Sequence, residues 1–181
     1  MAESFTNSLG RAVGVVTTAT GGSIGIQTNK VTGISTTGIG VSAIVDNQHY
    51  IAGTKVLNFG TAAQEVVFDR DSTNTASAST QTLKFLGVTT SYTSTAGEKA
   101  ILIGGTFANN TNNQVNLTVT TYDASAGTEA AIASKIPVPY GSSFVVSDTG
   151  KTLLEGLDEV SVYCDTANAI DVNLSILKGV S

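Results

Sequence analysis

The chain has 181 residues, of which 41% are apolar, and it carries a formal net charge of −5 with a pI near 4.6. This length and apolar content allow one large domain or two small ones. The net negative charge argues against nucleic-acid binding, and the nine basic residues are scattered singly and form no patch in sequence. The chain has no run of 18 apolar residues, so we expect no membrane span.

The composition is typical of an all-β protein. Charged residues make up 13% of the chain, about half the usual share, whereas Ser and Thr together account for 45 residues and Gly for 19. β-Branched residues punctuated by Gly and Asn favour short strands and tight turns. We therefore expect two small antiparallel β units, the C-terminal one a β-sandwich, preceded by an extended N-terminal arm.

Residues 1–30 predict a β arm without a core of its own. The run is rich in Gly, Thr and Ser, and Gly21-Gly22 between two β-like runs indicates a hairpin. Ordering each residue costs about 1–2 kcal/mol of backbone entropy, which so few large side chains recover poorly. We expect a neighbouring subunit or a larger assembly to order the arm, so that a chain starting near Val31 still folds. Folding back on residues 38–45 is the alternative.

The N-terminus also predicts the compartment of synthesis. Residues 1–11 include an acidic residue and lack the apolar core of a signal peptide. Cys164 is the single cysteine, so the fold needs no oxidising compartment for an internal disulfide. We expect synthesis in a cytosol.

Residues 31–90 predict a small β domain. Its bulky anchors are Phe68, Leu83, Phe85 and Leu86, and a polar loop precedes the last strand. Residues 91–99, in a run rich in Ser, Thr and Gly, predict a linker. The predicted strands are Gly38–Val45, Gly53–Phe59, Glu65–Asp69 and Gln81–Val88.

Residues 100–181 predict the β-sandwich domain. Strict alternation of apolar and polar residues indicates strands with one buried and one wetted face. The predicted inward residues are Val115, Leu117, Val119, Val160, Val162, Ile170, Val172, Leu174 and Ile176. The predicted outward residues are Asn116, Thr118, Thr120, Asp171, Asn173 and Ser175.

Both prolines of the chain, Pro137 and Pro139, fall in this domain. Proline lacks the backbone donor that a central strand needs. We therefore expect an extended crossover between a strand ending near Ile136 and one starting near Ser143. The functional alternative is a rigid docking lip for a partner.

Motifs for catalysis are incomplete. Ser147–Thr152 reads like the end of a phosphate-binding loop, but Val145 stands where that loop needs Gly, and no helix follows. Gly38–Ala43 fits a dinucleotide fingerprint only in its letters. His49 is the single histidine, so no multi-histidine site can form, and Cys164 alternates with valines as a core residue would. We predict no catalytic residue, no cofactor and no enzyme activity.

Two further motifs suggest a metal ion or a glycan. The loop Asp69–Asn74 spaces oxygens closely, but it lacks the Gly and distal Glu of a helix-loop-helix calcium site, so a solvated loop is preferred. Glycosylation triplets begin at Asn109, Asn116 and Asn173, as chance produces in a chain rich in Ser and Thr. We predict no metal ligand.

Two segments resemble modules of phage particles. In tailed-phage virion proteins a strand ending in Tyr-Asp leads through a turn to Ile-Pro-x-Pro-x-Gly-Ser-Ser, a Gly-Asp turn and a closing Asp-Val-x-Leu-Ser strand. Here these are YDASAG, IPVPYGSS, GLDEV with Leu157 inserted after Gly156, and DVNLS. The run from Ile44 to Gly87, with its GTKV turn, is similar to a second phage structural pattern. The whole chain resembles virion structural proteins of marine cyanobacterial myoviruses.

The resemblance implies a non-enzymatic virion component, assembled in the host cytoplasm. Its partners would be other virion proteins, either the major capsid protein on the capsid exterior, as decoration, or neck and tail proteins. Through virion symmetry, the resemblance also implies self-association as a trimer or ring. The alternative from another class is a carbohydrate-binding adhesin on the tail or fibre, although the chain has no Trp.

Overall fold

The structure is a computed structural model that describes residues 3–62, 64–146 and 151–180. These residues form strands and turns without a helix, which confirms the all-β prediction. In chain order the strands are β1 (Ser4–Val13), β2 (Val15–Ile24), β3 (Lys30–Thr32), β4 (Ile44–Asp46), β5 (Val56–Phe59), β6 (Glu65–Phe68), β7 (Ala78–Gly87), β8 (Thr89–Thr93), β9 (Ala100–Asn109), β10 (Val115–Asp123), β11 (Thr128–Val138), β12 (Ser143–Val146), β13 (Thr152–Leu154), β14 (Glu159–Cys164) and β15 (Ile170–Lys178).

The chain divides into two compact units. Unit 1 comprises Met1–Val15 and Thr89–Ser181, and unit 2 comprises Val16–Val88. Each unit has its own cluster of buried apolar side chains. Within the described ranges, no apolar helix is long enough to cross a membrane.

Unit 1 is a sandwich of two antiparallel sheets. One sheet has five strands in the order β1-β15-β9-β12, with β13 also paired to β9, and the other has the order β11-β10-β14-β8. The core draws fully buried side chains from both sheets, including Phe107, Leu117 and Leu174. All nine residues predicted to face inward are buried, which confirms the predicted face of each strand.

The outward face of β10 differs from its prediction. Thr118 and Thr120 are buried rather than wetted. The pairing of β10 with β11 shifts register around this point, and the N–H of Lys135 donates to Oγ1 of Thr118 at 3.0 Å. The bulged neighbouring strand, β11, therefore covers the face of β10 that the alternating pattern predicts to be exposed to solvent.

Unit 2 holds a six-stranded sheet in the order β4-β7-β2-β3-β6-β5. Its core groups three aromatic rings: the ring centroid of Phe68 lies 4.6 Å from that of Tyr50, in a tilted pair, and 6.3 Å from that of Phe85, in a stacked pair. Leu83 is fully buried beside them. The predicted anchors of this unit are confirmed.

The first predicted strand of unit 2 is wrong over most of its length. Residues 38–43 form consecutive turns, and the strand begins only at Ile44. Gly38 and Ser42 have positive φ values of 77° and 68°, which lie outside the extended region of a regular strand. Ile39 and Ala43 are buried from these turns, so the apolar alternation reflects burial without strand geometry.

The N-terminal arm is distributed over the chain's own sheets. β1 pairs with β15 from Ser4 to Val13, and β2 lies between β7 and β3 in unit 2. Strand pairing with distant segments orders these residues, and a count of large residues within the arm does not measure that contribution. The structure thus replaces a partner-ordered arm by two internal strands.

Gly21-Gly22 is not a hairpin turn, because both residues lie inside β2. A Cβ atom at Gly22 would stand 2.7 Å from Cδ1 of Leu83. The glycine therefore lets the core approach the backbone of β2, which is the other common reason for a glycine within a strand.

The predicted linker also belongs to a sheet. β8 pairs antiparallel with β14, and Tyr92 is buried in the core of unit 1. The N–H of Ser94 then donates to the carbonyl of Asp158 at 2.9 Å. The unit boundaries consequently fall at 15/16 and 88/89 rather than at 30/31, 90/91 and 99/100.

The two prolines mark a crossover between the sheets of unit 1, as predicted. β11 ends at Val138 in the four-stranded sheet, and β12 begins at Ser143 in the five-stranded sheet. Pro137 lies in β11, an edge strand, where a missing donor leaves no gap in a central ladder. Nδ2 of Asn109 donates to the carbonyls of Val138 and Pro139 at 2.9 and 3.2 Å and fixes the crossover.

Candidate protein-binding face

The five-stranded sheet of unit 1 turns one face away from the core. Side chains alternate between the two faces of a strand, and directly paired residues share a face. In β15, Val172, Leu174 and Ile176 are buried, so Asn173, Ser175 and Leu177 lie on the outer face.

An apolar row crosses four strands on this outer face. Leu153 pairs with Ile101, Ile101 with Leu177, and Leu177 with Phe5. The two ends of the row, Leu153 and Phe5, are 53% and 80% exposed. Large apolar side chains at this exposure are unusual on a free surface when they are contiguous.

A second row lies further along the same strands, beyond an intervening row formed by Asn7, Ser175 and Gly104. Val145 pairs with Thr106, Thr106 with Asn173, and Asn173 with Leu9. Val145 and Leu9 are 54% and 75% exposed, so the second row is apolar at both ends and polar in the middle. We call the two rows together the apolar outer face; its members are Phe5, Leu9, Ile101, Thr106, Val145, Leu153, Asn173 and Leu177.

A depression of about 420 Å³ opens on the same sheet, between Leu9, Arg11, Thr106 and Asn173. Asp171 lines it and accepts a hydrogen bond from the N–H of Ala12 at 2.8 Å. That hydrogen bond, one from the Asn110 side chain and the charge of Arg11 lower the pKa of the Asp171 carboxyl. The depression therefore carries one fixed negative charge and one fixed positive charge at neutral pH.

The arrangement suits the binding of another protein. The apolar outer face supplies contact area with few charged groups to desolvate, and such surfaces are typical of protein interfaces. Arg11 and Asp171 lie at one end, where they can align a partner without being buried in the middle of the contact.

Cys164 is a core residue, as the sequence predicted. Its Sγ donates to the carbonyl of Thr166 at 3.0 Å, and burial raises the pKa of the thiol. A buried thiol with a raised pKa is a poor nucleophile at neutral pH. His49 belongs to unit 2, where its backbone N–H donates to Oδ1 of Asn47 at 2.9 Å.

Asp158 stabilises a turn. Oδ1 accepts the N–H of Ala124 and Oδ2 accepts the N–H of Glu155, both at 2.9 Å. Residues 147–150, which form most of the motif resembling a phosphate-binding loop, lie outside the described residues.

The acidic loop 69–74 is attached to unit 2 rather than simply solvated. Oδ1 of Asp69 accepts the N–H of Lys55 at 2.7 Å, and Ser72 and Asn74 are buried. Oγ of Ser72 links the N–H of Thr28 to the carbonyl of Gly25. Across the described part of the chain, no three His, Cys, Asp or Glu side chains are grouped to hold a metal ion.

The three glycosylation triplets have different surroundings. Asn109 is buried at the crossover, the Nδ2 of Asn116 donates to Asp165 at 2.7 Å, and Asn173 is exposed on the outer face. Sequence patterns missed the role of Asn109 because its acceptors, the carbonyls of residues 138 and 139, are remote in the chain.

The sequence also missed the apolar outer face. The sequence places Phe5 and Leu9 in an arm and Val145 in the strand after the prolines, without relating them to one surface. Period-two alternation in β1 was the available indication, but only strand pairing places these residues side by side.

Comparisons with protein-family models, with curated proteins and with solved structures find no match to this chain.

Proposed function

We propose that the protein is a non-enzymatic structural component of a phage virion that self-associates and packs against another virion protein. The observation that carries the proposal is the apolar outer face of unit 1, with Phe5, Leu9, Val145 and Leu153 each more than half exposed. The likeness of two segments to tailed-phage virion proteins supports the same reading. The partner is an apolar surface on the capsid exterior, the neck or the tail.

The character of the outer face supports a protein partner. One row of paired side chains spans the sheet from β13 to β1 and the other spans it from β12 to β1, which gives a rigid contact area. Backbone hydrogen bonds already fix these strands. Docking therefore orders little additional chain, and less of the favourable contact free energy is offset by lost conformational entropy than in the docking of a flexible segment.

The alternative, a carbohydrate-binding adhesin, receives less support. Sugar sites generally combine an exposed aromatic ring with carboxylates or amides. The depression offers Asp171 and Asn173, but the residues known to line it include no aromatic ring. The adhesin would be favoured if the protein bound to a glycan array and free sugar competed that binding away.

Localisation on intact particles tests the proposal directly. Cryo-electron microscopy of purified virions should show density that fits unit 1, with the five-stranded sheet against a neighbouring protein. If mass spectrometry of purified virions does not detect this chain, the proposal is overturned.

A pair of substitutions tests the role of the outer face. Leu153→Asp should strongly reduce incorporation into particles, because it places a charge within the apolar row. Ala130→Asp is the matched control, since Ala130 is exposed on the four-stranded sheet and should leave incorporation unchanged. Equal incorporation of both variants would contradict docking through this face.

A further inference from the structure

We propose that β1 is the self-association edge of the protein, pairing antiparallel with β1 of a second copy across a twofold axis at Asn7. The inference rests on the self-association part of the proposed function and names its surface and register. It gives a twofold pair instead of the trimer or ring that the resemblance implies, because a strand paired antiparallel with its own copy has twofold symmetry. It follows from the edge, the side-chain order and the charges of β1.

β1 is an open edge of the five-stranded sheet. It pairs with β15 on one side, and no other strand of the described residues pairs with it on the other. The strand is ten residues long and includes no proline, and from Ser4 to Gly10 it has neither a charged residue nor a bulge. A long, regular edge of this kind is a template for another strand.

The other edges of unit 1 are less suited to pairing. β12 has four residues and β8 has five, which leaves little backbone to pair. β11 is as long as β1, but Pro137 and the register shifts of its pairing with β10 interrupt it. Prolines and bulges are devices that protect edges, and β1 lacks both as far as Gly10.

The side-chain order of β1 is self-complementary. With Asn7 opposite Asn7 of the second copy, Phe5 lies opposite Leu9 in the regular part of β1. Glu3 and Arg11, one residue beyond each end of that regular part, then come opposite each other. All of these residues are exposed, and Phe5, Asn7 and Leu9 share the outer face. Each strand pair thus combines two apolar contacts and two opposite-charge contacts, and cross-strand pairs of both kinds are favourable.

Neighbouring registers lose this match. A shift of two residues in one direction places Glu3 opposite Leu9, and a shift in the other direction places Arg11 opposite Phe5. Each shift separates both charge pairs and leaves apolar residues opposite polar ones. The two terminal charges therefore select one register, as charges do in other paired interfaces.

Pairing in this register also enlarges the apolar outer face. The row that runs from Leu153 to Phe5 continues into Leu9 of the second copy. The two five-stranded sheets become one continuous sheet, and a twofold axis relates the two halves of its outer face.

Charges placed at the twofold axis test the inference. Asn7 is exposed, so Asn7→Lys and Asn7→Asp should leave the fold intact, which thermal melting of each variant checks. In sedimentation equilibrium the unaltered chain should reach twice its mass of 18.4 kDa as concentration rises. Either variant alone should stay at the monomer mass, because each sets like charges directly opposite.

Mixing the two variants should restore the dimer, because lysine then lies opposite aspartate. Ser175→Lys is the matched control: Ser175 pairs with Asn7 on the same face but is not on the edge, so this variant should dimerise like the unaltered chain. An unaltered chain that stays monomeric, an Asn7→Lys variant that self-associates normally, or a mixture that remains monomeric would overturn the inference.

The outcome is separable from that of the proposed function. If the Asn7 variants change dimerisation as described but the protein is absent from virions, this inference stands and the virion role is overturned. If the protein is present in virions but the Asn7 variants do not change its self-association, the virion role stands and this inference is overturned.

Discussion

At the scale of single residues, adjacent positions in one strand have opposite environments. Leu174 is fully buried in the core of unit 1, whereas Ser175 lies on the outer face. Gly105, opposite Leu174, has no room for a side chain, since a Cβ there would stand 2.9 Å from Cδ2 of Leu174. Close packing of this kind makes a core position sensitive to lost volume.

Leu174→Ala should therefore lower the free energy of unfolding by about 2–5 kcal/mol, through lost burial and the cavity left behind. Ser175→Ala should change it by less than about 0.5 kcal/mol, because little packing is removed at a surface site. Urea denaturation of both variants provides the comparison. Equal effects would mean that the strand is buried on both faces.

Asp171 should make stability depend on pH in the acid range. The N–H of Ala12, the Asn110 side chain and Arg11 lower its pKa in the folded state below that of the unfolded chain. The stabilisation is present above the unfolded aspartate pKa of about 3.9 and is lost as pH falls through the folded value. The stability difference between the unaltered chain and Asp171→Asn should thus shrink between about pH 6 and pH 2. A constant difference in thermal melts would contradict this role.

At the scale of elements, strand pairing decides what alternation and composition leave open. β1 and β8 contain few large apolar residues, but each forms the edge of one sheet of unit 1. β2 is more central, because it lies between β7 and β3 and contributes the buried Ile24 to the core of unit 2. A strand between two others provides hydrogen bonds to both.

A chain that begins near Val31 should therefore fail to fold unit 2, contrary to the expectation from sequence. Loss of β2 leaves β7 and β3 without their shared neighbour and opens the core at Ile24. Circular dichroism and one-dimensional NMR of the shortened chain would reveal this. A chain starting at Ser4 serves as the control, and a shortened chain with native dispersion and melting would show that β2 is dispensable.

At the scale of the whole molecule, the chain builds two cores from interleaved segments. Unit 1 joins the N-terminal strand to the C-terminal half, and unit 2 is the stretch between them. The core of unit 1 is mostly aliphatic, whereas that of unit 2 centres on Tyr50, Phe68 and Phe85.

A cavity in one core should lower hydrogen-exchange protection in different strands from a cavity in the other core. Phe85→Ala should cost about 3–5 kcal/mol and lower hydrogen-exchange protection first in β6 and β7. Leu174→Ala should instead lower protection first in β9 and β15. Hydrogen exchange read by mass spectrometry separates these strands. Identical protection maps for the two variants would mean that the cores do not unfold as separate units.

The sequence by itself determined the all-β class, the inward face of β10, β14 and β15, and the proline crossover. These features depend on period-two alternation and on the missing donor of proline, which are local properties. The anchors Phe68, Leu83 and Phe85 followed from size and hydrophobicity in the same way.

Only the tertiary structure decided the boundaries of the units, the place of Gly22 and the apolar outer face. Each depends on which strands become neighbours, and residues as distant as Phe5 and Leu177 pair because burial and backbone hydrogen bonding are satisfied together. Alternation shows that one face of a strand is wetted, but it cannot show that four wetted faces align into one surface. The physical reason is that pairing is a non-local choice, made by the free energy of the whole sheet.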